Sequence, residues 1–238
     1  MKPRQFVSPV MLICLLVLLL STQGCFTVGH RIFNEADSNP QPDPNAYKRI
    51  LSVWKNGDQA QAEALAEKAL EQNPIDQKML FFYAACIRSR FDTERSQPLM
   101  NTVRQMDPQT PEGQCAACVW DLDQDVAADQ NLNLLRRIVK ANPNNPLILW
   151  MMAVQCRSYN LDEEGIHDYK KLLKMVGKGS SLVHTTYANL LADMGRHKEA
   201  LIQYDIALHE EPASWSIRNY QNDLNEIEKD QMAHGKQR

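Results

Sequence analysis

The sequence predicts an all-α chain: five helical hairpins in series, closed by one further helix at the C-terminus. Three observations predict it. Helix breakers recur at a fixed interval, with Pro74, Pro108, Pro143, Gly177 and Pro212 each following a helical pattern, 34 or 35 residues after the last. The segments before the breakers share their chemistry: Gly57 with Ala62, Ala66, Ala69 and Leu70; Asn160 with Gly165, Ile166, Tyr169, Leu172 and Leu173; Gly195 with Ala200, Leu201, Tyr204, Ala207 and Leu208. Composition agrees, since 44% of residues are hydrophobic, only 9 are Gly, and β-branched runs are short, a balance that favours helix over sheet.

The N-terminal 25 residues stand apart. Lys2 and Arg4 precede an apolar stretch from Phe6 to Leu20 interrupted only by Ser8 and Pro9, and small and polar residues then lead to Gly24 and Cys25. That is the layout of a secretory signal, its core shorter than a usual transmembrane span. Its ending resembles a bacterial lipobox, in which the cysteine is acylated and becomes the new N-terminus; Thr22 and Gln23 depart from the usual residues there. Lipidation at Cys25 is the leading expectation, beside an uncleaved signal anchor and soluble secretion. It implies an exported protein of the bacterial cell envelope, anchored to a membrane and facing the periplasm. Residues 26–45 read as an extended tether, because 34–45 holds three prolines and several carboxylates and has almost nothing apolar to bury.

The hairpins are expected at 43–76, 77–110, 111–145, 146–180 and 181–214. Gly57, Asn160 and Gly195 supply the left-handed residue that ends a first helix. Ala62, Gly165 and Ala200 are small enough for the second helix to approach the first, and the breaker stops the second helix. After Ala213, the residues Ile217, Tyr220, Leu224 and Ile227 recur at helical spacing, which predicts a capping helix over 215–232 to cover the last apolar face, with a frayed tail at 233–238.

These residues resemble the tetratricopeptide repeat, a helix-turn-helix unit of 34 residues. The match is best over 181–214, with Tyr187, Ala188, Leu191, Gly195, Glu199, Ala200, Tyr204, Ala207 and Pro212. It is good in the second half of 43–76 and over 146–180. The units 77–110 and 111–145 keep little beyond period and helix faces; Phe91 stands where a turn glycine belongs. The resemblance implies a right-handed α-solenoid whose first helices line a concave groove for a protein or peptide partner. Projecting that face at i, i+4 and i+7 selects Tyr47, Trp54, Phe81, Arg88, Trp120, Trp150, Arg157 and Asn189. Trp, Tyr and Arg dominate binding hot spots because they bury a large area while keeping a polar handle. The competing reading is that these aromatics fill gaps between irregular repeats. The family's clamp for C-terminal carboxylates is not expected, since only Asn189, with Lys78 nearby, matches it.

Other functions find little support. A net charge of -3, or -5 without Lys2 and Arg4, and the lack of a basic run argue against nucleic acid. Cys115 and Cys118 form a lone CxxC, with no second pair for zinc and Val119 where haem attachment needs His. Both fall on the expected first helix of the third hairpin, as Cys86 and Cys156 do in theirs, so packing is the preferred role; a disulfide and redox or metal chemistry are the alternatives. The histidines show no ligand spacing, and residues 177–181 lack the strand and spacing of a phosphate loop. The expectation is a scaffold without catalysis, metal or cofactor, or else a structural spacer.

Overall fold

The computed structural model describes residues 43–90, 92–176 and 180–235, which leaves Cys25, most of the tether, Phe91 and the Gly177 breaker outside the described residues. The first hairpin pairs α1 (Ala46–Lys55) with α2 (Gln59–Gln72), and the second pairs α3 (Gln77–Ser89) with α4 (Thr93–Met106). The third holds α5 (Pro111–Asp123) and α6 (Ala128–Ala141), and the fourth α7 (Pro146–Ser158) and α8 (Asp162–Val176). The fifth holds α9 (Ser181–Asp193) and α10 (His197–Glu210), and α11 (Trp215–Gly235) closes the stack, its helix running three residues past Met232. The helices α3, α5, α7, α9 and α11 start 34 or 35 residues apart.

Local chemistry fixes these boundaries. The side chains of Asp58, Asp76, Asp92, Thr110, Asn145 and Ser180 accept from backbone N–H groups in the first turns of α2, α3, α4, α5, α7 and α9, satisfying donors that no intrahelical carbonyl reaches. Pro111 and Pro146 open α5 and α7, where a missing N–H costs nothing. Gly57 (φ 94°), Asn160 (φ 54°) and Gly195 (φ 72°) are left-handed. The third hairpin turns differently, through Asp125 (φ 53°) and Ala127 (φ 46°). At the close approach of α8, a Cβ on Gly165 would stand 2.8 Å from Leu190 Cδ2 and 3.1 Å from Cys156 Cβ.

The two helices of a hairpin differ in how they are buried. The second helices are amphipathic: α2 buries Gln59, Ala62 and Ala66, and α6 buries Leu132, Leu135 and Ile138. Among the first helices, α3 and α7 each bury ten of thirteen residues and α9 buries eleven of thirteen. A helix buried on every side is a core element. The inner helices converge, α3 touching α5, α7 and also α9, three hairpins on.

Candidate protein-binding site

The open groove expected along the first helices is closed over much of its length. Trp54, Phe81 and Trp150 are fully buried. Trp54 sits with its ring centroid 5.6 Å from that of Trp150 and 6.1 Å, edge-on, from that of Phe82. The indole N–H of Trp150 donates to Thr186 Oγ1 at 3.1 Å. These aromatics fill the space between the inner helices and present no free surface. The reason is the convergence of α3, α7 and α9: helix-face projection identifies the residues opposite the partner helix, but other hairpins cover that face here.

The remaining projected residues separate. The Arg88 guanidinium forms a forked ion pair with Asp123 of the next inner helix, Nη1 lying 2.6 Å from Oδ2, with both side chains at or below 9% exposure. Trp120 turns toward the preceding hairpin, where the Arg104 guanidinium lies 5.0 Å from its ring centroid. Tyr47, half-buried, lines a cleft of about 410 Å³ with Leu51, Lys78, Glu112 and Asn142 to Pro146. Burial, then the charges of Glu112 and Asp76, push its phenol up.

Arg157 and Asn189 do meet. They line a cleft of about 290 Å³ where the inner face reaches the capping helix, with Ala192 and Asp193 of α9, Tyr204 of α10, and Tyr220, Asp223, Leu224 and Ile227 of α11. Asn189 is 5% exposed. Its Oδ1 accepts the Tyr204 hydroxyl proton, while its Nδ2 is buried without a hydrogen-bond partner. The rings of Tyr204 and Tyr220 stack with centroids 6.3 Å apart, and burial raises the Tyr204 phenol well above its ordinary range. Arg157 Nε lies 2.5 Å from Asp193 Oδ2 at the cleft mouth. Tyr220 and Ile227 remain 40% and 45% exposed, although the same stripe buries Ile217 and Leu224. Tyr204, Asp193 and Tyr220 were not singled out as binding residues from sequence. Tyr204 and Tyr220 belong to the helical stripes already noted, but nothing in a stripe shows which members it leaves half-covered.

The paired helices, the 34–35 residue period, the left-handed residues at Gly57, Asn160 and Gly195, and the small buried residues Ala62, Gly165 and Ala200 on three of the second helices decide the architecture. The fold is of the tetratricopeptide type. No family model and no curated protein matches the chain. The chain is distantly similar to several solved structures, two of them described as tetratricopeptide proteins. TTC0263 of Thermus thermophilus is 19% identical over 76% of this chain and 97% of its own, with a TM-score of 0.48. YrrB, described as having an unusual peptide-binding site, is 11% identical over 75% and 91%, with a TM-score of 0.44. MamA of Desulfovibrio magneticus RS-1 is 15% identical over 73% and 99%, with a TM-score of 0.40. Likenesses this distant carry no activity or partner across.

The tetratricopeptide packing also places the thiols. Cys86, Cys115, Cys118 and Cys156 all lie buried on inner helices and are unbridged. Burial pushes each thiol up, Cys118 to about 11 and Cys156 to about 12, away from the thiolate that redox or metal chemistry requires. Among the described residues, Cys156, Glu164 and Asp168 place possible ligand atoms within 4.8 Å of one another. Glu164 is already held by the Arg136 guanidinium through two contacts of 2.7 Å.

Proposed function

We propose that this chain is a tethered cell-envelope scaffold that holds a segment of another protein in the cleft between α7, α9, α10 and α11. The observation that carries the reading is Asn189, which lines the cleft and whose amide Nδ2 is buried and unpartnered. A buried N–H without an acceptor costs free energy that a carbonyl in the cleft recovers, and every residue of a protein segment brings one carbonyl. Tyr204, Tyr220, Leu224 and Ile227 offer aromatic and apolar contact, and the Arg157–Asp193 pair sets a polar rim. The helices that build the cleft are already ordered, which limits the entropy lost on binding. The tether and the cysteine at 25 support attachment to a membrane surface from the sequence side.

The test replaces Tyr220 with a photoreactive phenylalanine in full-length protein in native membranes and asks for discrete crosslinked species. Ala192→Trp, which fills the cleft from its wall, removes those species while the protein melts as before, and Cys25→Ser moves the protein from the membrane to the soluble fraction. Unchanged crosslinks in a folded Ala192→Trp protein refute the cleft. A Cys25→Ser protein still tightly in the membrane refutes the lipid anchor and leaves the cleft standing.

A further inference from the structure

We infer that α1 is a resident occupant of the concave face, an intramolecular helix that closes a surface suited to a partner helix of the same pattern. It goes beyond the cleft described above, because it concerns the opposite end of the inner face and a different kind of contact.

Four observations carry it. First, the fully covered residues of α1, Ala46, Ile50 and Trp54, form one stripe spaced i, i+4, i+8, flanked by half-buried Tyr47, Leu51 and Val53, with Trp54 set between Phe82 of α3 and Trp150 of α7. An amphipathic helix lying in a groove presents this pattern. Only three of its ten residues are buried, whereas the helices it covers are buried nearly all round. Second, the seat is incomplete. The cleft of about 410 Å³ runs along α1 at Tyr47 and Leu51, bounded by the starts of α3, α5 and α7 at Lys78, Glu112 and Pro146. Third, the Trp54 indole N–H is buried without an acceptor, so withdrawal of α1 gives it back to water and reduces the cost of opening. Fourth, α1 joins α2 through Asn56, Gly57 and Asp58, and Gly57 holds φ at 94°. This short glycine-containing turn is the backbone that changes when α1 swings off α2 and α8, on which it also packs, while α2 stays on α3.

The partner that fits is an amphipathic helix with small, aliphatic and aromatic residues one turn apart. The experiment uses α1's own sequence as the probe, so its outcome does not depend on any envelope partner or on the C-terminal cleft. A fluorescent peptide of residues 45–57 is titrated into full-length wild-type protein and into full-length Trp54→Ala protein. The variant is expected to bind the peptide about tenfold or more tightly than wild type does, because its own plug is weakened. The same peptide carrying Trp54→Ala is expected to lose that binding. A folded Trp54→Ala protein that binds neither peptide, or wild-type protein that binds as well as the variant, overturns the inference. If Trp54→Ala does not fold, hydrogen exchange on the wild-type protein decides. Amides of α1 are expected to exchange through an opening that leaves α3 and α7 protected, by about a hundredfold or more. Equal protection of α1 and α7 makes α1 a permanent part of the core and overturns the inference.

Discussion

Gly113 carries a constraint that no turn requires. It is the third residue of α5, and its N–H donates to the capping Thr110 Oγ1 at 3.0 Å. A Cβ there would lie 2.0 Å from the Asp107 carbonyl oxygen, 3.0 Å from its carbon and 3.0 Å from Gln77 Nε2. The obstacle is backbone, which cannot rotate away as a side chain does. That same oxygen accepts from Gln77 Nε2 and Thr110 Oγ1, each at 2.9 Å, and so ties the α4–α5 connection to the start of α3. Gly113→Ala therefore forces the connection outward. Overpacking of this kind costs about 1–3 kcal/mol, and one or two displaced hydrogen bonds add about 1 kcal/mol each. The better helix propensity of Ala returns only about 0.5–1 kcal/mol. The expected net loss is about 2–4 kcal/mol, or about 5–15 °C in Tm for a domain of this size. Circular dichroism melts at 222 nm and urea titrations of both proteins measure it. A Gly113→Ala protein melting at or above the wild-type temperature would show that the close approach is absent and the reasoning wrong.

Two further perturbations address the interior. Arg88→Ala strands the buried Asp123 carboxylate and is expected to cost about 3–5 kcal/mol, whereas Arg88→Met with Asp123→Leu costs far less, since the desolvation of both charges is removed together; urea titration of single and double variants checks this, and an additive double variant argues against the pair. Burial raises the Asp168 carboxyl above its ordinary value of 3.8, opposed by the His167 ring. The folded state then holds that proton more tightly than the unfolded chain, so this group's contribution declines as pH rises from about 4 through the raised value. Asp168→Asn is expected to be more stable than wild type at pH 7, with the difference closing below about pH 4; a difference that widens in acid contradicts the assigned direction.

Period and breakers were legible because each rests on backbone chemistry. A glycine or asparagine that ends a helix in the left-handed region carries its meaning in the residue itself, whereas a proline does so only by its spacing, since Pro98 sits inside α4. Gly57, Asn160 and Gly195 were found for that reason. The third hairpin was obscure for the converse reason, since Ala127 takes a left-handed conformation foreign to its residue type and Asp125 one that aspartate adopts only occasionally. Gly113 was silent because its meaning lies in a carbonyl six residues away. The concave face was misjudged by a different route. Projection assigned Trp54, Phe81 and Trp150 to one side of their helices, but the curvature of the stack, which decides whether that side stays open, is a property of all the repeat interfaces together. The cleft around Asn189 was half legible: Arg157 and Asn189 were selected, and their neighbours on the capping helix were recognised only as an apolar stripe.

The two Arg–Asp pairs show where along the stack the inner face changes character. Arg88 with Asp123 and Arg157 with Asp193 occupy matching places, the last turn of one inner helix and the end of the next. Their chemistry is the same, but their surroundings differ. The first pair is about 8–9% exposed, whereas Arg157 and Asp193 are 32% and 52% exposed. A buried pair of this kind is a repeat-to-repeat lock that requires a partner for each charge. The exposed pair is screened by solvent and contributes less than the buried one. The inner face therefore passes from core, where the other inner helices and α1 cover it, to surface, where only α11 half-covers it. Asn189 stands at that boundary, close to the interior by burial yet lining an open cleft, with one side of its amide bound and the other unfilled. A donor beside an open cleft is where a carbonyl of an entering segment would be held, and this places the proposed binding at the C-terminal end of the stack.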